Sequence, residues 1–80
     1  MANMNFTKKE IEIMELIADG LEDEEIADKS YIAISTLKTH KHNIYCKLGL
    51  HDRSKSIKRL LVGLHYIHHK WELKELLDEY

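Results

Sequence analysis

Eighty residues, 44% of them apolar and 32% charged, fit one small globular domain with little core to spare. The absence of proline and the three glycines leave little room for a turn-rich β fold, and no apolar run approaches the roughly 18 residues of a membrane span. A lone cysteine, Cys46, excludes an internal disulfide and fits a reducing cytoplasm.

Residues 1–5 read as a loose end without the charged and apolar pattern of a signal segment, so export is not expected. Thr7-Lys-Lys-Glu10 is a capping box, and Phe6 before it can staple onto Ile11. Ile11, Met14 (or Ile13), Leu16, Ile17 and Leu21 follow helical spacing up to Gly20, a natural stop, which predicts a first helix over about 7–19. Glu22-Asp-Glu-Glu25 then sets negative charge on the start of a short second helix, about 23–30, where the dipole favours it. Those acids read chiefly as solvated, dipole-compensating charge, or else as a patch for a protein partner. Ile26 and Ala27 face inward.

Tyr31-Ile-Ala33 makes a turn, with Ala33 a poor cap because it lacks a side-chain oxygen. A third helix is predicted over about 34–48, its apolar positions at Ile34, Leu37, Ile44, Cys46 and Leu48, closed by Gly49 in the left-handed region. Cys46 is expected in the core. Asp52 can cap a fourth helix from Arg53. Ile57, Leu60, Leu61, Leu64, Ile67 and Trp71 continue it at spacings of three and four, before a phase shift to Leu73, Leu76, Leu77 and Tyr80. One long helix over 53–80 is expected, with room at Gly63 and near Trp71 for a bend or a second short helix. The fold class is therefore all-α, four helices with an extended C-terminal one.

Charge is unevenly placed. Residues 1–37 carry nine acids and three lysines, whereas residues 38–59 carry seven Lys or Arg and the single acid Asp52. One basic segment in an acidic chain is the distribution a nucleic-acid contact requires. Two short helices with a tight turn between them, the second basic near its start, form a helix-turn-helix whose second member suits the major groove.

The ordered series Phe6-Thr7, Lys9-Glu10, Glu12-Ile13-Met14, Leu16-Ile17-Ala18, Gly20-Leu21, Glu25-Ile26-Ala27, Thr36-Leu37-Lys38, His40, Asn43-Ile44, Lys47-Leu48-Gly49-Leu50 and Arg53 resembles the LuxR/GerE-type helix-turn-helix domain over about residues 6–65. The resemblance implies a DNA-binding transcription regulator with its third helix in the major groove and its fourth used for dimerisation. It further implies base contacts from Lys38, Thr39 and His42, phosphate contacts from Thr36, Lys41, Lys47 and Arg53, and a fold-supporting Glu10. Glu22 and Ala33 stand where small hydroxyl caps are usual, Ser30 where a core leucine is usual, Lys9 for arginine, and Ser56 for a small apolar residue. These departures imply a less firmly seated second helix. With no receiver or signal-binding segment in the sequence, the chain resembles the free-standing, GerE-like members.

Residues 66–80 read as a C-terminal helical extension whose apolar side chains have no core left to bury them. Packing against a second copy is the favoured expectation, through Leu61, Leu64, His65, Ile67, His68 and Trp71; folding back onto the same domain is the other. His65 and His69 form an i,i+4 pair without a Cys, Asp or Glu to complete a ligand spacing, so no metal and no cofactor is expected. A pH-sensitive interface is open, since several histidines would charge together near pH 6. His40 is expected at a packing edge. No catalytic constellation is present and no enzyme is expected. The expected partners are double-stranded DNA and a second copy. The competing reading is a protein-interaction module that blocks another regulator through its C-terminal helix.

Overall fold

The structure, a computed structural model, describes residues 6–79. It consists of α1 (Lys8–Ala18), α2 (Asp23–Ser30), α3 (Ile34–Lys47) and α4 (Lys55–Glu79), with no strand among the described residues. The predicted loose end over 1–5 and the terminal Tyr80 lie outside them.

The capping box predicted from Thr7 forms in both directions. The Glu10 amide donates to Thr7 Oγ1 at 3.1 Å, and the Thr7 amide donates to Glu10 Oε1 at 3.0 Å. Phe6 and Ile11 are both buried, as a hydrophobic staple requires. Ile13 and Met14 are buried together with Ile17, so α1 presents a broad apolar face and packs against each of the other three helices. Gly20, at φ +86, turns the chain out of it.

At the start of α2 the Glu22 amide donates to Glu25 Oε1 at 2.9 Å, which completes the N-terminus without a small hydroxyl residue. Ile26 and Ala27 are buried as predicted, and Ser30 is buried too, its carbonyl accepting from Lys9 Nζ at 3.3 Å. α2 ends on Tyr31 in the left-handed region, φ 58, with its side chain 94% exposed. Nothing in the sequence signals this, because a bulky residue there is unusual.

Along α3 the buried side chains are Leu37, Lys41, Ile44 and Tyr45. Cys46, expected in the core, is exposed. It stands two positions after Ile44, about 200° around the helix, so it cannot share that residue's face; Tyr45 fills the core position instead. Ala33 makes no side-chain cap bond, as expected, and Gly49 at φ +71 closes the helix.

α4 begins later than predicted, and its first turn is closed by Ser54 rather than Asp52: the Ile57 amide donates to Ser54 Oγ at 3.4 Å. Gly63 does not bend it. Gly63 is buried where a Cβ would meet the Ala18 Cα at 3.5 Å, so it marks the close approach of α4 to α1. The break falls at His69, φ −110 and ψ 17. A straight helix of 25 residues would run about 37 Å, against principal extents of 27 × 27 × 19 Å for the molecule.

This bend corrects the expectation that the extension lacks a core. Tyr66 and Leu73 are buried, Leu76 and Leu77 are half-buried against the same cluster, and Lys74 Nζ reaches Glu15 Oε2 at 3.6 Å. Residues beyond the bend therefore fold back onto their own domain. Leu64, Ile67 and Trp71 remain 52%, 57% and 75% exposed, and Ile57 and Leu60 are exposed beside them.

Candidate nucleic-acid interface

The three-residue turn Tyr31–Ala33 holds α3 across α2, and no acid interrupts the chain between Asp28 and Asp52. On α3, Ser35, Lys38, Thr39, His42 and Cys46 are all exposed. Their spacing places them on one face, opposite the buried Leu37, Lys41 and Ile44. Thr36 and Asn43 flank that face, also exposed, and His40 is half-buried. The Thr39 hydroxyl donates to the Ser35 carbonyl at 3.3 Å, and His42 Nε2 lies 3.5 Å from Cys46 Sγ. A helix carrying short polar and basic side chains on an unobstructed face, most of them in its first half, has the form that reads base edges from the major groove.

Lys41 departs from expectation. Its side chain is buried, and its ammonium donates to both Asp23 oxygens, at 2.8 and 2.9 Å. Arg59 of α4 donates to the same carboxylate at 3.0 Å and to the Leu21 carbonyl. Asp23 is thus not a solvated helix-start charge; it ties α2, α3 and α4 together. Burial pushes its carboxyl up, but the Lys41 hydrogen bond and the charges of Lys41, Arg59 and Lys55 outweigh this and hold it below the ordinary aspartate value.

Lys47 is likewise engaged with the fold. Its ammonium lies 2.6 Å from Glu10 Oε1 and 5.7 Å from the centre of the Phe6 ring. Arg53 is exposed in the α3–α4 loop. Two residues not singled out from the sequence join the site. Lys55 and Lys58, on the first turn of α4, line a crevice with Lys38, His42 and Tyr45. Lys58 Nζ stands 4.8 Å from the centre of the Tyr45 ring, so a cation is held at the mouth of the crevice by an aromatic face. Burial raises the Tyr45 hydroxyl above its ordinary value, and its oxygen is buried without a partner among the described residues. The basic run over 53–59 is the available signal for these lysines, but the sequence does not show that the start of α4 lies beside α3.

The residues expected at a dimer contact divide. Leu64, Ile67, His68 and Trp71 are exposed, whereas Leu61 and His65 are half-buried. Ile57, Leu60, Leu64 and Ile67 recur at alternating intervals of three and four and make an exposed apolar stripe along α4 before the bend, and Trp71 is exposed beyond it. Among the described residues no group of three or more His, Cys, Asp or Glu could hold a metal ion, and no helix is long and apolar enough to cross a membrane.

Residues 4–60 match the family of bacterial regulatory proteins described as the luxR family. Over 52 residues, 65% of this chain and 24% of its relative, the sequence is 42% identical to the uncharacterized transcriptional regulatory protein YxjL of Bacillus subtilis. Over 51 residues it is 47% identical to the response regulator protein VraR of Staphylococcus aureus, and equally to that of Staphylococcus epidermidis, covering 64% of this chain and 24% of each relative. The match therefore spans about a quarter of the length of these relatives. No solved structure gives a significant match.

Proposed function

Because this chain belongs to the luxR family of bacterial regulatory proteins, we propose that it is a sequence-specific DNA-binding transcription regulator that acts as a homodimer with α3 in the major groove. The observation that carries this reading is the exposed face of α3, with Lys38, Thr39 and His42 on an acid-free stretch. Lys38 and His42 are assigned to base edges together with Thr39, whose hydroxyl exchanges its Ser35 bond for a base acceptor. Thr36, Arg53, Lys55 and Lys58 are assigned to the phosphates on either side, and Lys47 to the edge of the same surface. Lys41 leaves the contact set because its ammonium is enclosed with Asp23.

The homodimer rests on the stripe along α4. Alternating intervals of three and four are the spacing of a two-helix seam, and such a seam satisfies an identical copy of itself. A short helix reads few base pairs, and pairing two of them selects half-sites about one DNA turn apart.

Salt titration of duplex binding tests the electrostatic half of the reading. Each lysine removed from a phosphate contact lowers the slope of log K against log salt by about one. Lys55→Ala and Lys58→Ala are expected to do so while leaving sequence preference intact, and Lys38→Ala is expected to weaken the preference itself. A slope unchanged in all three variants would place the DNA elsewhere.

A further inference from the structure

Three imidazoles meet where α4 bends. The rings of His65 and His69 are 4.5 Å apart between centroids, and those of His68 and His69 are 4.6 Å apart. His69 is also the residue whose backbone leaves the helical region. At about 100° per residue, His68 lies on the rim of the exposed stripe, while His65 and His69 step from that rim toward the buried side. His65, His68 and His69 share one concavity with Leu61, Leu64 and Ile67. The cluster thus borders the surface assigned above to a second copy.

The surroundings favour a neutral His65 ring. His65 Nε2 is buried without a partner among the described residues, and its ring meets Phe6 edge-on at 6.0 Å. Behind Phe6 stands the Lys47 ammonium, itself paired with Glu10. On α4 the carboxylate within reach is Glu72, whose Oε1 is 2.9 Å from His69 Nδ1, and Lys70 places a further positive charge beside Trp71. Among the described residues, that one carboxylate cannot balance three imidazolium ions at these separations. Burial and the two neighbouring histidines lower the affinity of His65 for a proton, against the smaller opposite pull of Glu72.

We propose that the α4 stripe is a proton-gated interface, closing on a second copy of the chain when the three histidines are neutral and opening when they charge. The proposal rests on the homodimer reading. In a two-fold contact the same patch is used on both sides, so each proton taken up by one cluster is matched across the interface. Six imidazoles then border one apolar seam. Charging them sets like charges against one another as the seam loses water, which favours the separated chains.

Sedimentation equilibrium at about pH 8 and about pH 5.5, with helicity followed by circular dichroism, tests this on the full chain. These values bracket the ordinary histidine range. The dissociation constant of the unmodified dimer is expected to rise at least about tenfold at the lower pH with helicity retained. In His68→Gln/His69→Gln the rise is expected to fall below about threefold, since the repelling pair is gone. If that variant loses helicity, His68→Gln alone, at an exposed position, serves in its place. A dimer of equal strength at both pH values overturns the gate and leaves the homodimer standing, whereas a monomer at pH 8 overturns the homodimer and the gate with it. An equal pH response in the variants, or dissociation that tracks loss of helicity, also overturns the gate.

Discussion

Lys41 and Asp23 form a two-pronged ion pair, Nζ to Oδ1 and Oδ2 at 2.8 and 2.9 Å, beneath the surface of the helix expected to present that lysine to DNA. Arg59 closes the same carboxylate from α4. Three helices, two of which carry the proposed DNA surface, are therefore registered by one acid. Asp23→Ala is expected to destabilise the fold by about 3 kcal/mol in urea unfolding, because it leaves two cations without their partner in a largely enclosed site. Lys41→Ala is expected to lower stability as well, so it is unsuitable as a DNA-contact control.

The same pair fixes a pH dependence. The folded carboxyl of Asp23 lies below its ordinary value of 3.8, so the folded state holds the proton less tightly than the unfolded one. Its contribution is fully present above about pH 4 and is lost as pH falls through the depressed folded value. Urea midpoints taken from about pH 6 down to about pH 2.5 should fall less steeply in Asp23→Asn than in the unmodified chain.

His65 acts at higher pH and in the same direction. Its proton affinity is lowered in the folded state, so the contribution it makes is present above about pH 6.5 and is lost as pH falls. The melting temperature is expected to drop between about pH 7.5 and about pH 5.5, and His65→Gln to flatten that drop. An identical drop in the variant would assign the loss to other groups.

Beyond the bend at His69, two nearby positions should behave oppositely. Leu73 is fully buried and Trp71 is 75% exposed. Leu73→Ala is expected to cost about 2–5 kcal/mol in unfolding experiments. Trp71→Ala should change monomer stability by no more than about 0.5 kcal/mol, while weakening self-association measured by light scattering.

Cys46 provides a chemical probe. Its thiol is exposed on the outer face of α3, 3.5 Å from His42 Nε2. Alkylation with a bulky maleimide is expected to block DNA binding without altering helicity, and bound duplex is expected to slow the alkylation several-fold. Equal alkylation rates with and without saturating duplex would argue against α3 as the reading helix.

The elements most legible in the sequence were those set by local chemistry. The Thr7–Glu10 box, the stops at Gly20 and Gly49 and the inward Ile26 and Ala27 need only near neighbours to specify them. The relations that were not legible cross the fold. Asp23, Lys41 and Arg59 are far apart in sequence, and each alone reads as a solvated helix charge. Lys55 and Lys58 join the site because α4 starts beside α3, a consequence of how both helices seat on α1. Cys46 reads as buried on its apolar character alone, but helical phase excludes it from the core once Ile44 is fixed. The phase shift near Trp71 did signal a break, but the core awaiting Leu73 lies on α1, beyond what spacing along α4 can show.

Capture of genomic fragments by the purified chain, at about physiological salt, bears most directly on the account. The control is Lys38→Ala/His42→Ala, which leaves the Asp23 cluster intact. The account predicts a shared motif with two-fold symmetry that the control fails to recover. Recovery of no shared motif by a folded dimer, or recovery of the same motif by the control, would contradict reading through α3.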